Sequence, residues 1–254
     1  RSDTESFPDD ALREVREERG ANDDFELPPC EVTLVLGAEG RLFVVLPTGV
    51  RPNLPFAVNA PFVQDPSRVE IKDPAVSPTN RWLLERAGRL AADAMTAWLG
   101  NKALSLAERA RAYELLPAPP TSTDDLGADC ASLVSEAFLS AVAGEPCLLT
   151  ETGEVVVPDG AIVVPPALFN VWPATELPEI LGRDTQSPVA GVVTEQQRQK
   201  LAACLQVDRL SGTNVAELFL SVSPPKPKSW RQLVSLWAFL SPELSGYPWN
   251  PKRS

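Results

Sequence analysis

The chain has 254 residues, a net charge of -11 and no histidine. That balance argues against a broad nucleic-acid-binding face, which needs a basic footprint. The missing histidine removes Ser-His-Asp and Cys-His catalysis, most zinc sites and any histidine pH switch.

The 26 prolines are about twice the usual share of roughly 5%, which predicts short elements joined by rigid turns. Cys30, Cys130, Cys147 and Cys204 form no CxxC pair and read as reduced thiols of a cytoplasmic protein. No apolar run approaches the roughly 18 to 20 residues of a membrane span, and there is no signal-peptide pattern. A membrane partner is therefore not expected. The chain begins at Arg1 and holds one methionine, Met95, so a piece of a longer protein is expected.

In chain order, Asp9 to Arg19 predicts a charged helix stopped by Gly20. Glu31 to Leu36 and Arg41 to Leu46 read as strands, with Gly37 to Gly40 as the turn of a hairpin between them. Phe56 to Asn59 and Arg68 to Ile71 are extended, and Pro61 and Pro66 predict an edge or irregular path there. Asn80 to Leu99 is a long amphipathic helix, with Leu83, Ala87, Leu90, Ala94 and Trp98 at helical spacing. Ser105 and Glu108 form a capping box for a short helix to Leu116. Residues 117–127 are rich in Pro, Ser, Thr and Asp and read as the main linker.

Beyond the linker, Ala128 to Ala143 predicts another amphipathic helix. Short β runs follow at Cys147 to Thr150, Glu154 to Val157 and Ala161 to Val164. Helices are expected from Thr194 to about Leu205, and from Asn214 to Val222. Ser223 to Lys228 is a stiff linker. Ser229 and Gln232 cap a last helix with Leu233, Trp237 and Leu240 on one face. The helix-borne Trp82, Trp98, Trp230 and Trp237 are expected in the core, whereas Trp172 and Trp249, in proline-rich loops, are candidate docking anchors. Tyr247 to Pro251 is a tail that packs back or extends to a neighbouring domain.

Glu70-Ile71-Lys72 has the Glu-x-Lys form of metal-dependent nucleases, whose hard cation needs converging carboxylates from separate strands. Asp65 lies too close in sequence to occupy a separate strand, and Pro66 intervenes. Neither GxxxxGK[ST] nor a strand-borne GxGxxG occurs.

The order of Leu46-Pro47-Thr48, Leu54-Pro55-Phe56, Asn59-Ala60-Pro61-Phe62, Ser67-Arg68 and Asn80-Arg81-Trp82-Leu83-Leu84-Glu85 resembles the segment after the nucleotide-binding domain in sacsin-like proteins. Those belong to the gyrase, heat-shock chaperone, histidine kinase and MutL (GHKL) ATPase superfamily. The resemblance is clearest over Leu12 to Ala87 and looser beyond Leu126. Ala57-Val58 departs from it, where histidine-like polarity would be expected. In such machines the domain after the ATP pocket sends a cation to the γ-phosphate, where it stabilises developing charge. The resemblance makes Arg68 the candidate for that contact and Arg51, in the preceding loop, the second candidate. The bland alternative is that Arg68 caps a helix end or pairs with Asp65 or Glu70. The superfamily's own pocket, a helix-borne Glu and Asn followed by Asp-x-Gly-x-Gly, does not occur.

The expected architecture is α+β, or α/β: a small mixed sheet packed by a long helix, followed by a second helix-rich lobe with a β-hairpin. Residues 1–116 would be a transducer-like domain and residues 128–254 a helix-rich interaction domain. The resemblance implies the middle region of a chaperone-like ATPase. Coupling would run to an absent N-terminal domain that supplies ATP and Mg; no cofactor is expected in this chain. The expected partners are that ATPase domain, a protein client and, as an option, a second copy. The biological setting stays open between chaperone-type and bacterial genome-defence ATPases. The rival reading is a non-catalytic protein-binding scaffold.

Overall fold

The computed structural model describes residues 1–20, 26–117 and 125–244. The chain forms two compact units, Arg1–Asn101 with Arg111–Ala143, and Lys102–Ala110 with Gly144–Ser254. The architecture is α+β.

The first unit is a mixed sheet with helices. Strand β1 (Ser2–Glu5) precedes helix α1 (Asp9–Arg19), then β2 (Cys30–Leu36), β3 (Leu42–Val44), β4 (Leu46–Pro47) and β5 (Phe56–Asn59). Their order across the sheet is β1-β2-β5-β3-β4. The hairpin expected between β2 and β3 does not form. Strand β5 lies between them, antiparallel to β2 and parallel to β3. Gly40 makes this crossing feasible, because a Cβ there would sit 2.2 Å from the Leu54 carbonyl oxygen. The expected edge at Phe56 to Asn59 is likewise a central strand. Phe56, Ala57 and Val58 are all buried, the continuous apolar run of a strand covered on both faces. Its prolines, Pro55 and Pro61, flank the strand and remove no ladder donor from it.

Helix α2 (Pro78–Gly100) opens at Ser77, whose side chain accepts from the Asn80 N–H, and Pro78 sits in its first turn. It buries Leu83, Leu84, Ala87, Leu90, Ala91 and Met95. Arg86 emerges from this buried face and pairs with Asp3 at 2.9 Å and Glu5 at 3.2 Å. It also donates to the Cys30 carbonyl. These contacts tie the otherwise exposed strand β1 to the unit. A short helix α3 (Leu106–Ala110) and a 3-10 turn (Arg111–Leu115) lead on to α4 (Leu126–Val142).

Helix α4 packs along α2 within the first unit, which corrects the expected division at residues 117–127. At Gly88 of α2 an added Cβ would lie 2.4 Å from the Val134 carbonyl oxygen of α4. That backbone approach, with Cys130, Val134, Phe138 and Val142 buried, commits α4 to the first unit. The division falls instead at Ala143–Gly144, and residues 102–110 belong to the second unit. Residues 118–124 of the expected linker lie outside the described residues.

The second unit contains α3 and the antiparallel pair β6 (Leu148–Leu149) and β7 (Val155–Val156). Strand β8 (Ala161–Val163), helix α5 (Leu177–Ile180), strand β9 (Ser187–Pro188), helix α6 (Glu195–Leu205) and strand β10 (Asp208–Arg209) follow. Strands β9 and β10 flank β8 in parallel. Helices α7 (Gly212–Ser221) and α8 (Trp230–Leu244) pack on each other. The core gathers Ile162, Leu168, Trp172, Leu177, Val215 and Leu236. Arg198 is buried without an ion pair among the described residues. It donates to the carbonyls of Val193, Val164 and Ala190. Burial lowers its pKa.

The tryptophans of this unit reverse the expectation. Trp172, the candidate anchor, is 3% exposed and meets Phe219 edge-on at 5.7 Å. Trp230 and Trp237 of α8 are exposed, because Leu236, Phe239 and Leu240 occupy that helix's core face. Trp249 and the Tyr247 to Pro251 tail lie outside the described residues. No helix among the described residues is long and apolar enough to cross a membrane.

Candidate functional site

Between β5 and α2 the chain makes a small hairpin, from Val63 to Lys72. The Lys72 N–H donates to the Val63 carbonyl, and the Asp65 N–H to that of Glu70. Gln64 and Ile71 form an antiparallel bridge. The tip is closed by the Arg68 N–H donating to the Asp65 carbonyl at 2.9 Å. Arg68 itself is left-handed, at φ 58°.

The side chains at the tip satisfy one another. The Asp65 carboxylate accepts from the Ser67 hydroxyl, the Ser67 N–H and the Glu70 N–H. The Ser67 hydroxyl, chief among these donors, holds the Asp65 carboxyl below the ordinary range. Ser67 Oγ in turn accepts from the Val69 N–H. Asp65 is thus committed to the turn rather than to Arg68. Arg68 is exposed and has no ion pair among the described residues. The alternatives of a helix cap or a pair with Asp65 or Glu70 are not realised.

The base of the hairpin is fastened by Asn80. Its Oδ1 accepts from the Val63 N–H at 2.8 Å, and its Nδ2 donates to the carbonyls of Val63 and Lys72 at 2.8 and 2.7 Å. Glu14 of α1 provides a second fastening. It accepts from Lys72 Nζ at 2.9 Å, the Ser77 hydroxyl at 2.9 Å and the Thr79 N–H at 3.0 Å. Burial alone would raise its pKa. The hydrogen bonds from Lys72, Thr79 and Ser77 outweigh that and hold it low. The carboxylate lies at the N-terminus of α2, where the helix dipole favours negative charge. The same pair, Glu14 foremost, raises the pKa of Lys72.

A cleft of about 1070 Å³ opens beside the hairpin, lined by parts of α1, the hairpin and the start of α4. Its cations are Arg19, Arg68 and Lys72, and they are outnumbered by Glu18, Asp65, Glu70, Asp73, Asp125 and Asp129. Such a lining does not concentrate a free polyphosphate. The Thr48–Gly49 loop abuts the tip, where the Gly49 N–H donates to the Val69 carbonyl at 2.6 Å. Next to it Val45 is 88% and Leu46 74% exposed. Val45 has φ 66°, a left-handed conformation that costs a β-branched residue about 1 to 3 kcal/mol.

Arg51 is placed differently. It pairs with Glu39 at 3.4 Å, both side chains exposed, and does not line the cleft. The Glu70-x-Lys72 triplet makes no nuclease arrangement. Lys72 turns to Glu14 and Glu18, Asp65 is used by the turn, and no metal-holding cluster occurs among the described residues. Glu14, Lys72 and Asn80 escaped the sequence reading as parts of the site. The available signal was an acid at i+3 from Ala11 on the apolar face of α1.

Compared with protein-family models, curated proteins and solved structures, the chain matches none. The motif resemblance therefore rests on this chain's own residues.

Proposed function

We propose that the first unit is a transducer-type module of a GHKL-like ATPase, which receives another domain and presents Arg68 to a phosphate bound there. The observation that carries this reading is an exposed arginine, without an ion pair among the described residues, on a turn whose own polar groups are satisfied and whose base is fastened by Asn80. A turn fastened this way fixes the backbone of Arg68, so that its free side chain can reach a charge that develops elsewhere and be ordered there. The exposed Val45, Leu46 and Val69 supply apolar surface near the cation for the incoming domain. ATP and Mg belong to that domain. In this reading the unit contributes one charge and a conformational response, not a nucleotide pocket, and works in the cytoplasm.

The test uses the protein that carries both this module and the ATPase domain. Arg68→Ala is expected to lower single-turnover hydrolysis by about 10³-fold or more, the range of arginine fingers. ATP affinity and melting temperature should stay nearly unchanged, the pattern of an interaction made mainly in the transition state. Unchanged hydrolysis in the folded variant overturns the reading. A second reading, a non-catalytic protein-binding scaffold, is favoured by the exposed apolar side chains of α8.

A further inference from the structure

We propose that helix α8 is a homodimer interface, in which the α8 of one chain packs antiparallel on the α8 of a second copy. The inference concerns the second unit and does not depend on Arg68.

Helix α8 has two apolar faces. One carries Leu236, Phe239 and Leu240 and closes the core of the unit. The other carries Trp230, Leu233, Val234 and Trp237, exposed by 77%, 42%, 50% and 66%. At about 100° per residue, these four lie within an arc of roughly 100°, spaced as i, i+3, i+4 and i+7. That is the stripe of a helix meant to be covered.

The size of the patch suits a dimer. With full burial of about 150 to 250 Å² per tryptophan as a guide, the four side chains expose on the order of 400 Å². Leu220 and Val222, at the end of α7, are exposed as well. The stripe by itself is close to the apolar share, roughly 450 Å², of a standard interface of about 800 Å² per partner.

A second copy is favoured by the order of residues in the stripe. It reads large, small, small, large. Turned about a two-fold axis between Leu233 and Val234, Trp230 of one chain meets Trp237 of the other, and Leu233 meets Val234. This self-complementarity is what an isologous interface requires. Charge permits the same pairing. The chain as a whole carries -11, yet the segment that carries the stripe is close to neutral: Lys228 is paired with Glu176, and Glu217 stands against Lys226 and Arg231. Two copies meeting through α8 avoid the repulsion that their overall charge would impose.

Sedimentation velocity on the full chain tests this. Between about 1 and 100 µM, the range for a dissociation constant near micromolar, the mass should rise from 27.5 kDa towards twice that value. The double variant Trp230→Glu, Trp237→Glu should remain a monomer across the range, at least about 100-fold weaker in association, because each dimer would bury four unpaired carboxylates. Its melting temperature, read below the association range, should match the parent's, since neither side chain belongs to the core. Val234→Cys, beside the two-fold axis, should form an intermolecular disulfide on mild oxidation, while the unsubstituted chain does not. Three results overturn the proposal: a parent chain that is monomeric throughout, a dimer untouched by the double variant, or dimerisation only after residues 245–254 are removed. The last would make the tail the occupant of this face.

Discussion

Replacing Asn80 with alanine removes the fastening of the Arg68 hairpin without touching its tip. Asn80 is fully buried, and its amide serves the Val63 N–H and the carbonyls of Val63 and Lys72. The Val63 carbonyl keeps the Lys72 N–H as a partner at 2.8 Å. The Val63 N–H and the Lys72 carbonyl lose theirs. Leaving a buried backbone group unsatisfied costs about 1 to 3 kcal/mol, and the Lys72 carbonyl is only part-buried, so the expected loss is about 2 to 4 kcal/mol. At roughly 2 to 4 °C per kcal/mol for a chain of this size, the transition of the first unit should fall by about 4 to 16 °C. Differential scanning calorimetry measures it. Amide exchange locates it: protection should drop at Val63 and Lys72 and persist in the middle of α2. Asn80→Asp keeps the shape and the acceptor but aims an oxygen at two carbonyls, so at neutral pH it should cost at least as much. Acidification should recover part of the aspartate's deficit relative to alanine, because a neutral carboxyl can donate once. A melting temperature within about 2 °C of the parent for Asn80→Ala, or an aspartate tolerated better than alanine at neutral pH, refutes the reasoning.

Gly88→Ala should destabilise by about 1 to 3 kcal/mol in urea denaturation, although helix propensity alone forecasts a gain of about 1 kcal/mol. The added Cβ would lie 2.4 Å from the Val134 carbonyl oxygen, and a measured gain would disprove the close approach of α2 and α4. Glu14 titrates below its ordinary value of 4.5, so its contribution is present above that pH and lost as pH falls through the lowered folded value. Thermal stability should therefore decline below about pH 4.5, and Glu14→Gln should show a shallower decline.

Local signals placed the helices well, because a cap is a contact between near neighbours. Thr194 and Gln197 form the capping box at α6 that their spacing implied, and Ser105 with Glu108 does the same for α3. Asp9 to Arg19 runs as expected to Gly20. Sheet order was not legible, since pairing joins residues distant in sequence. Strand β1 has no apolar pattern at all. Its Ser2 to Glu5 residues are exposed, and Arg86, far along the chain, helps hold it. Spacing could not tell which apolar face of α8 is buried, and so the core expected at Trp230 and Trp237 is not found there. An irregular path at Arg68 was foreseeable from Pro61 and Pro66, although the extended run read from Arg68 to Ile71 is instead a turn with Arg68 left-handed at its tip. The fastening beneath it was not, because Asn80 reads as a helix start until Val63 and Lys72 are brought beside it.

The proline content explains why such fastenings exist. A chain with 26 prolines has few long ladders, so irregular segments enter the interior and their backbone groups need partners. In each unit one buried side chain gathers several of them. Asn80 serves Val63 and Lys72 in the first, and Arg198 serves Val164, Ala190 and Val193 in the second. An amide suffices for the first because the hairpin offers both a donor and acceptors. The second gathers carbonyls alone, which suits the donor-only guanidinium. Under the proposed reading of the first unit, the consequence lies at Arg68. A loop fastened from beneath, rather than by a sheet, fixes the backbone position of its tip while leaving the tip side chain without a local partner.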